Sequence, residues 1–144
     1  METELVNRAV CSAPGEGKDL GLLKLRLSSA QTAGVIEVFE HSSQGSPLPH
    51  IHRDHEELFY ILEGSVVFTS GQEDFVASAG SLIFIPRGMR HAFKPNAGAR
   101  MLFFVMPAGL EGFFKEMGEG FAARRPETDV RAALAGKYDS WPAG

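Results

Sequence analysis

Cysteine is almost absent from this chain of 144 residues, in which Cys11 is the only one. A single cysteine excludes an internal disulfide framework and a zinc site built on cysteines. No apolar run approaches the roughly 20 residues that a membrane-spanning helix needs, and the N-terminus lacks the basic start and apolar stretch of a secretory signal. We therefore expect a cytoplasmic protein that does not engage a membrane.

Positive charge is also in short supply. Fourteen Lys and Arg stand against eighteen Asp and Glu, which gives a formal net charge of -4 at pH 7. A net-acidic surface disfavours phosphate binding, and the pair Arg124–Arg125 is too short to change this. We expect a small-molecule ligand and no nucleic-acid partner.

Tryptophan and tyrosine are scarce, with one and two residues, whereas phenylalanine occurs eleven times. A core built largely on Phe is expected. The length suffices for one domain and leaves no room for a second core.

Short strand-like runs dominate the middle of the chain. Residues 1–19 show little periodicity and are interpreted as an N-terminal extension, whereas the alternation of Leu23, Leu25 and Leu27 begins a β-rich region over residues 20–107. The runs that follow, separated by Gly and Pro turns, are GVIEVFEH, LFYIL, SVVFTS, DFVAS, SLIFIP, HAFKP and RMLFFVMP. Many short strands of this kind predict an all-β antiparallel barrel or sandwich.

Residues 108–144 follow a different pattern. Apolar residues recur at spacings of three and four between Leu110 and Phe121, which predicts a helix. A second short helix is expected after Pro126, capped by Thr128 and ended by Gly136. We interpret this region as a helical tail that packs on the barrel.

Histidines are concentrated in the segment PHIHRDHEE. On a strand, His50 and His52 project to the same face, because side chains alternate with period two. Two imidazoles on one rigid element, followed closely by carboxylates, are a candidate for metal chelation.

The wider stretches GSPLPHIHRDHEELFYILEG and GSLIFIPRGMRHAF resemble the two motifs of the cupin superfamily. The first motif is matched by Gly45, His50, His52, Glu57 and Gly64. The second motif is matched by Gly80, Pro86, Gly88 and His91. The PRG-x-x-HAF run and the segment PAGLEGFF look like single-domain cupins of the quercetin-dioxygenase-like group. The resemblance implies a cupin-type antiparallel β-barrel, a jelly-roll-like double sheet.

The resemblance also implies a ligand set of His50, His52, Glu57 and His91 for a divalent transition metal. Such ligands suit Fe, Mn, Ni, Cu or Zn and do not identify the ion. Glu57 is assigned a catalytic role as proton acceptor. Glu56 remains its rival, since the first motif tolerates either spacing.

Two further histidines receive no ligand role. His55 is interpreted as a solvated residue or one that supports a ligand from outside the metal shell. His41, which ends a strand beside SSQG, is interpreted as a surface histidine.

Apolar walls are expected around the metal. Phe59 and Ile61 lie an even number of residues from Glu57 on the same strand, and Phe93 lies two residues from His91, so these three should face the ligands. Two more candidates for substrate contact are Phe39 and Phe103. Some of these side chains are expected simply to pack the core. Arg90 is the nearest candidate for binding an anionic group.

Three functions compete at this level. The resemblance favours a metal-dependent, dioxygenase-like oxidoreductase acting on a small, largely apolar or aromatic molecule. The alternatives are a metal-dependent isomerase, lyase or hydrolase of the same fold and a non-catalytic binding module. We also expect a homodimer paired through sheet edges, with the strand LGLLKLRL as one such edge.

Overall fold

The computed structural model describes residues 8–144. The part of the predicted extension before residue 8 lies outside the described residues. Within this range the chain forms eleven strands and two helices. Their bounds are β1 Lys18–Asp19, β2 Lys24–Leu27, β3 Glu37–His41, β4 His50–Ile51, β5 Glu56–Glu63, β6 Ser65–Ser70, β7 Glu73–Ser78, β8 Leu82–Ile85, β9 His91–Pro95, β10 Arg100–Met106, α1 Glu111–Ala122, α2 Glu127–Leu134 and β11 Trp141–Pro142.

The strands form two antiparallel sheets. One sheet has six strands in the order β1-β2-β3-β10-β5-β8, and the other has five in the order β11-β4-β9-β6-β7. This arrangement confirms the predicted antiparallel double sheet with C-terminal helices. Every strand predicted from the middle of the sequence is present.

Phenylalanine fills the space between the sheets. Strand β5 alternates, so that Glu57, Phe59 and Ile61 point inward while Tyr60 is exposed. Phe59 stacks on Phe103 with ring centroids 5.4 Å apart. Phe39 also stacks on Phe103, with ring centroids 5.0 Å apart. The Phe-based core expected from composition is thus observed.

Gly64 forms the tight turn between β5 and β6. Its φ of +71° lies in the left-handed region, and a Cβ there would stand 3.0 Å from the Cα of Ala99. Both constraints require glycine at this position.

Helix α1 is anchored to the six-stranded sheet by a buried carboxylate. Glu37 on β3 accepts hydrogen bonds from the backbone N–H groups of Gly109 at 2.9 Å, Leu110 at 2.8 Å and Glu111 at 3.2 Å. These are N–H groups at the start of a helix, where negative charge is favoured. Glu37 therefore fixes where α1 begins against the barrel.

Helix α2 begins two residues earlier than expected. Its N-cap residue is Pro126, whose carbonyl accepts from the N–H groups of Asp129 and Val130, each at 3.1 Å. The prediction that Thr128 caps this helix is wrong, because Thr128 already lies in its first turn. Gly136 follows the helix with a φ of +83°.

The tail and the extension both add strands that were not predicted. Strand β11 pairs with β4 through Trp141 and Ile51, which extends the five-stranded sheet. Strand β1 pairs with β2 through Lys18 and Leu25. The LGLLKLRL strand was expected to offer a sheet edge for pairing. This is wrong at Lys24 and Leu25, because β1 already pairs with them. Neither described helix is long and apolar enough to cross a membrane.

Candidate metal centre

Four buried side chains from separate segments converge between the two sheets. His50 on β4 lies opposite His91 on β9 in the strand register, His52 follows β4, and Glu57 projects from β5 of the other sheet. One ligand atom from each of the four residues lies within 4.8 Å of all the others. The structure thus brings together the complete ligand set that the sequence resemblance implied.

Each histidine is oriented by a backbone carbonyl. The Nδ1 atoms of His50, His52 and His91 lie 2.8 Å from the oxygen of Leu48, 2.7 Å from that of Asp139 and 2.9 Å from that of Met89. A carbonyl only accepts, so Nδ1 carries the proton in each ring and the lone pair of a neutral imidazole lies on Nε2. These contacts are the supports by which proteins aim histidines at a metal.

The inward atoms of the cluster require a positive charge between them. Oε1 of Glu57 lies 3.0 Å from Nε2 of His52 and 2.9 Å from Nε2 of His91. Three electron-rich atoms at this separation repel one another unless a cation or a proton lies among them. Three imidazole nitrogens and one carboxylate are the donors that divalent first-row metals prefer, so the residues fit such an ion.

Without a metal, the directions of the pKa shifts indicate that an ionised Glu57 carboxylate and a protonated His52 favour each other. Burial by itself raises the pKa of Glu57, but the charges and hydrogen bonds of His52 and His91 outweigh it and hold the pKa well below its usual value. Burial by itself lowers the pKa of His52, yet the Glu57 carboxylate outweighs it and raises the pKa. Burial lowers the pKa of His50 strongly, and the neighbouring positive charges add to that shift.

The two candidate carboxylates point in opposite directions. Glu57 is buried among the histidines, whereas Glu56 forms a 2.6 Å ion pair with the partly exposed Arg87. Neighbouring residues on a strand face opposite sides of the sheet, so only one of the pair can reach the cluster. The geometry places Glu57 there.

Asp139 in the tail supports this site and was not recognised in the sequence. Its backbone oxygen accepts from His52, and its carboxylate accepts from the N–H groups of Arg53 at 2.8 Å and Asp54 at 2.6 Å. His55 lies outside the ligand cluster and contacts the same carboxylate, with Nδ1 2.7 Å from Oδ2. No sequence motif marked Asp139, because it lies 87 residues from His52.

A mostly apolar cavity of about 210 Å³ opens beside the cluster. His50 and Glu57 lie in its wall, and so do three of the Phe residues proposed for substrate contact, Phe59, Phe93 and Phe103. The other two, Phe39 and Ile61, are fully buried in the core and are not among the described residues that line the cavity. Helix α1 closes the cavity with Phe113, Phe114, Met117 and Phe121.

His41 is not the surface residue that the sequence predicted. It is 5% exposed, lines the same cavity, and packs edge-on against Phe93 with ring centroids 5.3 Å apart. The polar run SSQG indicated exposure, but the loop after β3 folds back so that Ser43 Oγ lies 3.3 Å from His41 Nε2. Burial lowers the pKa of His41 to about 4.

An ion pair from α2, with its arginine buried and its glutamate partly exposed, also lines the cavity and was not predicted. The Arg131 side chain is 6% exposed and its Nε donates to Oε2 of Glu127 at 2.7 Å. Their spacing of four residues was the only signal available, and Glu127 lies before the helix that the sequence predicted. Arg90, the predicted anion-binding candidate, instead donates to the backbone oxygens of Ala143 at 3.1 Å and Gly71 at 2.9 Å.

Comparison with known families agrees with this geometry. Residues 36–106 match the family model described as Cupin domain. The chain carries a cupin domain. The match includes both sequence motifs and all four residues of the cluster.

Curated relatives of this cupin include two proteins named quercetin 2,3-dioxygenase. The one from Aspergillus japonicus is 34% identical over 84 residues, which cover 54% of this chain and 24% of the relative. The one from Bacillus subtilis (strain 168) is 27% identical over 128 residues, which cover 83% of this chain and 38% of the relative. The chain thus spans well under half the length of either relative.

Among solved structures, the cupin is similar to Streptomyces PAC13 with uridine. The TM-score is 0.53 at 22% sequence identity, covering 62% of this chain and 72% of that chain. At this identity the similarity shows the fold.

Proposed function

We propose that this cupin is a metal-dependent oxidoreductase of the dioxygenase type that acts on a small, largely apolar or aromatic molecule. The observation that carries the proposal is the buried cluster of three histidines and Glu57, which opens onto a cavity walled by phenyl rings. The distant relationship to quercetin 2,3-dioxygenases supports the reaction type.

The chain's own residues supply binding, exclusion of water and proton transfer. The rings of Phe59, Phe93 and Phe103 favour a flat apolar substrate and keep water from the centre. Glu57 faces both the cluster and the cavity, so its carboxylate is placed to accept a proton from a substrate hydroxyl. A redox-active first-row ion at these ligands would supply Lewis acidity and electron transfer toward dioxygen.

The proposal is tested by metal content and oxygen uptake measured together. The purified protein is stripped with EDTA, loaded separately with Fe(II), Mn(II) or Ni(II), and analysed by mass spectrometry for metal. Oxygen consumption is then followed with single-ring phenols, catechols and quercetin. We expect about one ion per chain and uptake that depends on both metal and substrate.

His91→Ala is the matched negative control, because it removes one ligand while leaving the apolar packing of the barrel in place. Turnover of a substrate without oxygen uptake would instead favour an isomerase or lyase. A chain that takes up no metal under any loading would contradict a metal-dependent function and favour a binding module.

A further inference from the structure

Arg131 presents an unusual charge in the wall of the cavity. The residue is 5% exposed and lines the same space as His50 and Glu57, although it comes from α2, beyond the matched cupin domain. Arginine is almost never so fully buried unless it is paired. The contacts of its guanidinium group therefore indicate what it is there to bind.

Only one of the three guanidinium nitrogens is occupied. Nε donates to Oε2 of Glu127, and Cζ lies 5.8 Å from the ring centroid of Phe113. Among residues 8–144, the two terminal nitrogens of Arg131 have no hydrogen-bond partner. Neither terminal nitrogen is fully shielded from solvent, and Arg131 is one of the residues that line the cavity.

Glu127 contacts Nε of Arg131 and leaves the two terminal nitrogens available. The same oxygen, Oε2, also accepts from the backbone N–H of Leu48 at 2.7 Å. This contact ties α2 to the segment that leads into His50, which fixes the orientation of Nε. The planar pair of terminal nitrogens matches the two oxygens of a carboxylate.

The volume of the cavity limits what can accompany that carboxylate. An engineered apolar cavity of roughly 150 Å³ in another protein holds benzene. A cavity of about 210 Å³ therefore accommodates a single ring with a small polar substituent. A flavonol, which has three rings, would have to extend out of its open side.

We propose that Arg131 binds the carboxylate of the substrate, which is a small organic acid with one aromatic ring or an apolar group of similar size. The inference rests on the proposed function, since it names the substrate class of the same centre. Glu127 is the positioning residue that presents the guanidinium group. Arg131 would hold the carboxylate of the acid, with the apolar part of the acid against the phenyl rings.

The test uses metal-free protein, so that no ion contributes to anion binding. Benzoate and the neutral benzamide, which have nearly the same shape, are titrated by calorimetry into the parent chain, Arg131→Gln, Arg131→Lys and Arg125→Gln. Arg125 is an exposed arginine of the same tail, and its substitution removes the same charge. We expect the parent and Arg125→Gln to bind benzoate at least tenfold more tightly than benzamide.

Arg131→Gln should bind the two compounds equally, and Arg131→Lys should retain only part of the preference because a point charge replaces the planar fork. Circular dichroism checks that each variant folds. If Arg131→Gln fails to fold, the comparison between the parent and Arg131→Lys decides the outcome. A parent that fails to prefer benzoate, or an Arg131→Lys variant with the full preference, would overturn the proposal. Neither result depends on oxygen uptake or metal loading, so a failure here is distinct from a failure of the proposed function.

Discussion

The three cluster histidines depend on backbone carbonyls for their orientation, and this protects the site from most side-chain substitutions. Leu48, Asp139 and Met89 contribute only their main-chain oxygens to His50, His52 and His91. For these contacts the path of the backbone matters and the side chains of Leu48 and Met89 do not, whereas the Asp139 carboxylate also holds the loop that carries His52. The ring orientations are set before any metal arrives, which reduces the cost of ordering them on binding.

The carboxylate ligand can be tested by comparing two neighbouring substitutions. Glu57→Gln removes the charge that faces His52 and His91, so we expect metal affinity to fall by more than the roughly 10- to 100-fold that loss of an outer partner costs. Glu56→Gln loses only its ion pair with Arg87, which is partly exposed and worth at most about 1 kcal/mol of stability. Its metal affinity should match the parent.

Titration of both variants with Zn(II) at one pH provides the measurement. Loss of affinity in Glu56→Gln would show that the register of the first motif is off by one. Equal affinity in all three proteins would indicate a three-histidine centre and remove the proton-accepting role of Glu57.

His41 should make the protein sensitive to mild acid. Burial lowers its pKa from 6.5 to about 4, so between these values the unfolded chain binds a proton that the folded chain does not. Stability from this residue is therefore present above about pH 6.5 and is lost as the pH falls toward 4. At pH 4.5 the loss is about 2 kcal/mol.

His41→Leu should remove this part of the acid destabilisation. Urea unfolding of both metal-free proteins at pH 7 and pH 4.5 measures it. The other charged groups of the cavity, His50, Glu57, Glu127 and Arg131, are common to both proteins and cancel in the difference. The same pH dependence in both would mean that His41 titrates normally.

Sequence reasoning located the ligands but not the residues that close the cavity. His50, His52 and His91 lie at fixed spacings within two local motifs, so the resemblance to the cupin motifs identifies them. The burial of His41 and Arg131 depends instead on a loop and a tail that fold over the barrel mouth. Contacts between segments far apart in the chain leave no periodic signal in the sequence. The polar residues that follow His41 suggested an exposed position, although His41 is buried.

At the scale of elements, the tail supports the candidate metal centre. Helix α2 supplies Arg131, strand β11 extends the sheet beside β4, and Asp139 between them holds the loop that carries His52. The helices were predictable from apolar residues at spacings of three and four. Strand β11 has two residues, which is too short for any alternation to show.

Asp139→Ala is therefore expected to weaken metal binding although Asp139 is not a ligand. The carboxylate fixes the N–H groups of Arg53 and Asp54, and without it the backbone that accepts from His52 is no longer held. We expect a decrease in Zn(II) affinity of about 10- to 100-fold. Isothermal titration of the parent and variant measures it.

Asp129→Ala, an exposed aspartate of the same tail, is the control and should bind Zn(II) like the parent. Unchanged affinity in Asp139→Ala would show that the tail contributes only to folding.

At the scale of the whole molecule, strand β8 is an open and apolar sheet edge. Strand β8 ends the six-stranded sheet, and within residues 8–144 nothing pairs with its outer side. Its residues alternate, with Ile83 and Ile85 buried and Leu82 and Phe84 exposed by 67% and 57%. No proline or charged residue interrupts this strand, and such an edge invites pairing with another strand.

We predict that two copies pair through β8 to form a homodimer, replacing the β2 edge expected from the sequence. If the β8 strands of two copies pair antiparallel about a twofold axis, each satisfies the free backbone hydrogen-bonding groups of the other. The pairing also covers Leu82 and Phe84. Phe84→Lys should shift the protein toward monomer, because it places a charge in that interface. Val35→Lys, at an exposed residue before β3, a strand that two others separate from β8 in the sheet, should leave the dimer intact. Light scattering over a concentration series measures the mass, and a parent that stays monomeric throughout would rule the pairing out.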